Sequence, residues 1–196
     1  MIDPTWIGLD RGDTDVATAE HLVSDLAPEL LAIASLACTH LVGDPYGHYA
    51  VSLEIRRPLT PTEQSALINV ANTAPCALSI DSERLLVAGD PDLQGGAMLA
   101  AAGLRERSNG RAFRYAGEER LRGVLSVDVL LDQTAIDRVD VLGGVLSTRS
   151  SVQTRDFVRP QFRDGQLVLV VTPRAGDSFQ PFEARNPHHC CEDHSA

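Results

Sequence analysis

The sequence contains no lysine, and all 17 of its basic residues are arginine. Without lysine the chain cannot form the Schiff base of pyridoxal enzymes, and it cannot supply the phosphate-binding lysine of Walker-type NTPases. Both classes, and their cofactor sites, are therefore excluded. A composition rich in Arg, Ala, Leu, Val and Gly is typical of a GC-rich bacterial genome.

Aromatic residues, long apolar runs and a basic leader are also scarce or missing. Aromatics are 5% of the 196 residues, so the core must consist mainly of Leu, Val, Ile and Ala. The most apolar stretch, residues 26–42, contains Pro28, Glu29 and His40 and is shorter than the about 20 apolar residues that span a bilayer. Residues 1–15 lack the features of a signal peptide. We therefore expect a cytoplasmic protein without membrane insertion.

The chain carries an excess of acidic residues, and its formal net charge is −10 at pH 7. Such a chain repels the phosphate backbone, so we expect no nucleic-acid partner. In a reducing cytoplasm its four cysteines are expected to be thiols or metal ligands rather than structural disulfides.

The mixed order of helical and strand-like segments predicts an α+β protein, with a mixed or antiparallel sheet and helices on one face. We expect an N-terminal helical segment (residues 1–46), an α+β body (residues 47–183) and a Cys/His-rich C-terminal tail (residues 184–196). At this length a single folding unit is the default expectation.

Two helices are predicted in the N-terminal segment, after an irregular start over residues 1–12. The first is capped by Asp13 or Thr14 and runs to about Leu26. The second, residues 28–42, has Pro28 in its first turn and is apolar nearly all round, which is typical of a buried helix or an oligomer interface.

Cys38 and His40 fall near the end of that second predicted helix. On a helix, positions two apart do not face the same way. Cys38 is then most simply a small buried side chain, and His40 complements the C-terminal end of the helix dipole.

The body begins with an alternating strand over residues 49–55. The next helix, residues 59–74, has a capping pattern in which Thr60 is the N-cap and Glu63 follows three residues later. Two short strands and a helix over residues 96–107 come next. Asp164 and Gly165 form the predicted turn of a hairpin near the end of the body.

One weak internal repeat indicates a more specific topology. Residues 51–55 (VSLEI) resemble residues 125–129 (LSVDV), within a predicted strand over residues 122–131. Each precedes a candidate helix and a further strand. Two such strand–helix–strand units would build a ferredoxin-like sheet of split βαβ units.

The C-terminal sequence NPHHCCEDHSA contains the densest group of candidate metal ligands. Cys and neutral His bind zinc and other transition metals. In a helix His194 lies on the same face as Cys190 and Cys191, whereas in an extended chain His189 and Cys191 share a side. The candidate metal ligands are Cys190, Cys191, His194 and His189.

Two or three of these ligands can act together, so a closed tetrahedral site would need help from Cys38, His40, Cys76 or another chain. A disulfide between Cys190 and Cys191 would close a strained ring. Docking onto a partner, or a plain polar end, remain alternatives to metal ligation.

Arginines are concentrated over residues 105–122, the only locally basic stretch. Arg111, Arg114 and Arg120 are candidates for contact with an anion or with an acidic partner surface, because guanidinium groups bind carboxylates and phosphates well. In the alternative interpretation these arginines pair with the neighbouring glutamates.

Two functions follow, and whether the protein is an enzyme stays open. The first is a non-catalytic metal-binding or accessory protein that docks to a protein partner, such as a redox metalloenzyme complex, or to its own copies, with zinc or another transition metal held by the tail. The second is a small enzyme acting on an anionic substrate at an arginine-lined cleft. No nucleophile motif such as G-x-S-x-G, and no H-E-x-x-H, is present.

Overall fold

A computed structural model describes residues 3–43, 47–82, 84–175 and 178–184. Within these ranges twelve strands form a mixed, mostly antiparallel sheet, and five α-helices pack against it. The predicted α+β class is therefore confirmed. No helix in the described ranges is long and apolar enough to cross a membrane.

The strands are β1 (Thr5–Asp13), β2 (Leu36–Val42), β3 (His48–Ile55), β4 (Ala77–Asp81), β5 (Leu85–Gly89), β6 (Arg111–Tyr115), β7 (Val124–Ser126), β8 (Arg138–Val141), β9 (Ser151–Gln153), β10 (Gln161–Arg163), β11 (Gln166–Arg174) and β12 (Ser178–Pro181). The helices are α1 (Val16–Leu26), α2 (Pro28–Ile33), α3 (Pro61–Thr73), α4 (Gln94–Arg105) and α5 (Val127–Gln133), with a 3-10 turn at Glu118–Arg120.

The chain forms two compact units. The first contains Met1–Ala116 and Pro160–Leu167, and the second contains Gly117–Arg159 and Val168–Ala196. In the first unit the strand order is β5-β4-β1-β3-β2-β6-β10. In the second, β8 and β12 flank β11, and β9 and β7 follow β12. The boundaries predicted at residues 46 and 183 stay predictions.

The first unit contains two interleaved split βαβ units. Strands β1 and β2 are both antiparallel to β3, which lies between them, and β3 and β4 are both antiparallel to β1. Helices α1 and α3 make the two crossovers, so β1 to β4 have the ferredoxin-like arrangement. The other strand–helix–strand repeat, predicted to begin with a strand at residues 125–129, is wrong, because β7 ends at Ser126 and α5 begins at the next residue.

Alternate residues of β1 point to opposite faces of the sheet and pack against different helices. Ile7 and Leu9 are buried in the main hydrophobic core with Leu22 of α1 and Leu67 of α3. Gly8 points the other way, where a Cβ atom would overlap the carbonyl oxygen of Ala97 in α4. Helices α1 to α3 thus cover one face as expected, whereas α4 packs on the opposite face.

Small residues make the close approach of α4 possible. Gly8 is in register with Ser52 of β3 and Ser79 of β4, and Ser52 is in register with Cys38 of β2. This row of small side chains leaves room for the helix backbone, and α4 presents its own Ala97, Ala100 and Ala101 as buried residues.

Two predictions for residues 1–46 are wrong. The N-terminus is not irregular, since Thr5–Asp13 is β1, which pairs on both edges with β3 and β4. The long apolar helix does not form either. Helix α2 ends at Ile33, Ala34 is extended, and Leu36–Val42 pairs with β3 and β6. Residues 36–42 form a strand because backbone hydrogen bonds to neighbouring strands on both edges stabilise it more than the helical spacing of Leu and Ala residues favours a helix.

The hairpin prediction is confirmed. Asp164 and Gly165 connect β10 to β11, and both have positive φ angles, 51° and 77°. This is the geometry of a two-residue type I′ turn, for which Asp-Gly is a preferred pair. The following strand is the most buried of the second unit, with Val168, Leu169 and Val171 nearly inaccessible to solvent.

Candidate functional site

A cleft opens in the first unit where β2 extends past the start of β6. Thr39 of β2 is in register with Arg111, the first residue of β6, so the residues after Thr39 lie beside the loop that leads into that strand. The cleft has a volume of about 330 Å³ and is lined by Thr39, His40, Leu41, Tyr49, Asn109, Gly110, Arg111, Gln161 and Phe162.

The loop after α4 places Asn109 and Gly110 against β2. A turn with Arg107 at φ 51° follows the helix, and the backbone N–H of Ser108 donates to the carbonyl of Gly103. Gly110 has φ 120°, and a Cβ atom there would lie 2.7 Å from Cε1 of His40. Only glycine fits this position, both for its backbone angle and for its contact with the imidazole ring.

His40 is the centre of a buried hydrogen-bond chain. Its Nδ1 lies 2.6 Å from Oδ1 of Asn109, and its Nε2 lies 2.7 Å from Oγ of Ser52. Burial lowers the pKa of His40, an effect that the hydrogen bond to the Asn109 side-chain oxygen only partly opposes. The ring is therefore neutral at pH 7, donating from Nδ1 to the amide oxygen and accepting the Ser52 hydroxyl proton at Nε2.

This connectivity resembles the hydroxyl–imidazole–amide order of a nucleophilic site. The difference lies in access, because Ser52 is completely buried between the sheet and α4. A substrate cannot reach its hydroxyl, and both nitrogens of His40 are already occupied. The chain of hydrogen bonds thus fixes His40 and Asn109 in place at the wall of the cleft.

Arg111 brings a positive charge to the cleft wall. Its Nη1 lies 2.5 Å from Oε1 of Glu20, and both side chains are mostly buried, which joins β6 to α1. No Asp or Glu occurs among the described residues that line the cleft. In a chain of net charge −10, this lining of arginine, amide, hydroxyl and imidazole groups is unusual.

A second histidine pair lies on the same face of the sheet. Nε2 of His48 donates to Oδ2 of Asp10 at 2.8 Å, and the backbone N–H of Gly12 donates to the other carboxylate oxygen. Asp10 is completely buried, whereas 22% of the His48 side chain is exposed. A Cβ atom at Gly96, in the first turn of α4, would overlap this carboxylate.

The structure separates the three candidate arginines. Arg111 lines the cleft, whereas Arg114 is an exposed side chain further along β6 and does not line it. Arg120 belongs to the other compact unit, where its Nε lies 3.5 Å from Glu119. One of the three predicted anion contacts therefore lies at the cleft.

The predicted metal ligands Cys190, Cys191, His194 and His189 lie outside the described residues. Within the described ranges no group of three or more Cys, His, Asp or Glu side chains is close enough to hold a metal ion. Cys38 and Cys76 are buried, and burial raises the pKa of both thiols. Both ring nitrogens of His40 are hydrogen-bonded within the protein.

Sequence reasoning missed the His40 network because it assigned residues 28–42 to one helix. On a strand, Cys38 and His40 are two apart and share a face. Interpreting His40 as a helix-terminal residue is therefore wrong. The run Cys-Thr-His-Leu-Val, with its β-branched residues, was the local signal for a strand, but Asn109 is 69 residues from His40 and no spacing rule connects them.

No family model matches this sequence, and comparisons with curated proteins and with solved structures give no match. A function for this chain is therefore inferred from the residues of the cleft alone.

Proposed function

We propose that the first unit binds a small anionic molecule, bearing a carboxylate or a phosphate, in the cleft beside His40. The observation that supports this most directly is the composition of the lining. Arg111, Asn109, Tyr49 and Gln161 place guanidinium, amide and hydroxyl groups around one space, with Arg111 ion-paired to Glu20, and no described lining residue is acidic. Such a surface favours acceptor groups and negative charge.

The size of the cleft limits the ligand. About 330 Å³ is at the lower end of the range for small-molecule sites, which fits a metabolite of modest size rather than a polymer. Phe162 is among the lining residues, and the Arg107 guanidinium lies 5.7 Å from the centre of its ring. The ligand can therefore combine an anionic group with a small apolar part.

Binding is a better description than acid–base catalysis at this position. A general base needs a nitrogen that can accept a proton from substrate, and His40 already uses both of its nitrogens within the protein. The proposal is thus a ligand-binding unit, and an enzyme acting on an anionic substrate is the competing proposal.

The test is a thermal-shift panel of small carboxylates and phosphates, with inorganic phosphate and citrate as first probes. A ligand at about 100 times its Kd stabilises by about 2.7 kcal/mol, which raises Tm by roughly 5–10 °C for a protein of this size. Arg111→Ala should remove the ligand-induced shift. Arg114→Ala is the matched control, because Arg114 is on the same strand but does not line the cleft.

Tyr49→Phe adds a second variant, since loss of Arg111 also breaks the ion pair with Glu20. Removing a single hydroxyl should weaken binding with little effect on Tm of the free protein. The proposal fails if no compound in the panel shifts Tm, or if Arg111→Ala responds to ligand as the parent does.

A second proposal keeps the metal-binding accessory role, and the clustering of His188, His189, Cys190, Cys191 and His194 in the sequence supports it. Metal content by elemental analysis, before and after deletion of residues 187–196, tests it. Stoichiometric metal that is lost on truncation would support the role. Protein that stays metal-free under reducing, metal-replete conditions would overturn it.

A further inference from the structure

Strand β5 (Leu85–Gly89) lies at one end of the sheet of the first unit. Within the described ranges it pairs with β4 alone, in the register Leu85↔Asp81 to Gly89↔Ala77. No described strand pairs with its second backbone edge, and the Gly89 carbonyl accepts a hydrogen bond from the Gln94 side chain. Such an edge is a template on which another strand can pair.

The sequence of β5 lacks the features that usually protect an edge. Its five residues, LLVAG, include no charged side chain and no proline. None of them is fully buried, and Leu85 is 54% exposed. Edge strands in monomeric proteins are commonly blunted by charges, proline or a covering element. An apolar, partly exposed edge strand of this kind is typical of one that pairs with a strand of another chain rather than of one that faces solvent.

The charges at the two ends of β5 indicate which strand pairs with it. Arg84 comes directly before the strand and is exposed, and Asp90 comes directly after it. If two copies of β5 meet antiparallel about a twofold axis centred near Val87, the Arg84 end of each copy lies beside the Asp90 end of the other. Glu83, next to Arg84 in the sequence, lies outside the described residues.

We propose that the protein forms a symmetric dimer through antiparallel pairing of the β5 edges of two copies. The apolar strands match because they are identical, and opposite charges meet at both ends of the pair. The two sheets then become one continuous sheet across the dyad. An extended peptide from another protein is the competing occupant of this edge. Such a peptide does not by itself carry charges that complement Arg84 and Asp90, whereas a second copy of β5 does.

Sedimentation velocity or light scattering between about 1 μM and 1 mM protein tests the dimer. Ionic strength should be near 0.15 M, where repulsion between two copies of net charge −10 is screened beyond about 8 Å. We expect a concentration-dependent monomer–dimer equilibrium. Val87→Lys places two like charges opposite each other at the dyad and should raise Kd by about tenfold or more. Leu99→Lys, at an exposed leucine of α4, is the control and should leave Kd unchanged.

Charge reversal distinguishes this dimer from any other. Arg84→Glu and Asp90→Arg should each weaken association, because each brings like charges together, and the double variant should restore it. Circular dichroism of each variant confirms that it folds. A protein that stays monomeric over the whole concentration range overturns the proposal. So does a dimer whose Kd is indifferent to both Val87→Lys and charge reversal.

Discussion

The imidazole of His48 donates a hydrogen bond to the carboxylate of Asp10 across the interface between β3 and β1, at 2.8 Å. Asp10 is inaccessible to solvent, so this carboxylate depends on protein groups for its hydrogen bonds. The backbone N–H of Gly12 supplies a further donor. A buried carboxylate with these donors fixes the ends of β1 and β3 relative to the first turn of α4.

Asp10→Asn should therefore destabilise the first unit. Hydrogen bonds to a charged group contribute about 1.5–3 kcal/mol, and the neutral amide has one acceptor oxygen where the carboxylate has two. The free energy of unfolding from urea titration measures the effect. Asp92→Asn, at an exposed aspartate near the same end of the sheet, should change stability by less than about 0.5 kcal/mol. Equal effects at the two positions would contradict this account of Asp10.

Stability should depend on pH through His40. Because burial lowers the pKa of His40 in the folded protein, the unfolded chain binds the proton more readily. The contribution of neutral His40 is therefore fully present above the unfolded pKa of about 6.5, and it decreases as the pH falls below that value.

Urea unfolding at several pH values from about 5 to 8 measures this dependence, since that range brackets the ordinary histidine pKa. His40→Gln should be less stable than the parent at the upper end of the range, because it disturbs the bonds with Asn109 and Ser52. It should also lose less stability on acidification. A variant with the same pH slope as the parent would contradict a role for His40 in the pH dependence.

Gly8 is expected to tolerate no side chain. Since a Cβ atom there overlaps the Ala97 carbonyl, Gly8→Ala must separate α4 from β1, and overpacking of this kind costs about 1–3 kcal/mol or more. Gly95→Ala is the matched control. Gly95 lies in α4 with no atom near its Cβ position, and the substitution should stabilise by up to about 1 kcal/mol. Chemical denaturation should give opposite signs for the two changes, and a tolerated Gly8→Ala would disprove direct backbone contact.

The cap of α3 should be sensitive to acid. Glu63 accepts hydrogen bonds from Arg57 and from the backbone of Thr60, and these lower the pKa of Glu63 to about 2. The ionised carboxylate of Glu63 therefore stabilises the folded protein. This contribution is fully present above the pKa of Glu63 in the unfolded chain, near 4.5, and is lost as the pH falls toward 2. The side chains of Arg57 and Glu63 are both partly exposed to solvent, which weakens their interaction, so Glu63→Gln should cost only about 0.5–1 kcal/mol at pH 7. The difference from the parent should vanish in acid-unfolding measurements below the folded pKa.

Local patterns predicted the elements whose determinants lie close together in the chain. The capping box of Thr60 and Glu63 is present, with Pro61 in the first turn of α3. The Asp164-Gly165 turn also forms, because glycine and, to a lesser extent, aspartate tolerate a positive φ angle. The predicted N-cap of α1, Asp13 or Thr14, lies only one or two residues before the observed cap, Asp15.

Elements that depend on distant partners were not predictable in this way. Leu36–Val42 has helical spacing of its apolar residues and becomes a strand because β3 and β6 pair with both of its edges. Residues 127–129 alternate like a strand and become helical, where Val127 and Leu130 are buried three apart. Of the candidate site, Arg111 was identified from local arginine density, whereas His40, Asn109 and Tyr49 come together only through the sheet.

Helix α4 reaches both histidine pairs. A Cβ atom on Gly96 would overlap Asp10, the partner of His48, and one on Gly103 would lie 2.5 Å from the amide oxygen of Asn109, the partner of His40. These two glycines are separated by seven residues, or about 10 Å of helix. Because a helix of this length does not shorten, the two pairs share one rigid support. The cleft-lining Asn109 and the buried carboxylate of Asp10 are therefore positioned by one and the same helix.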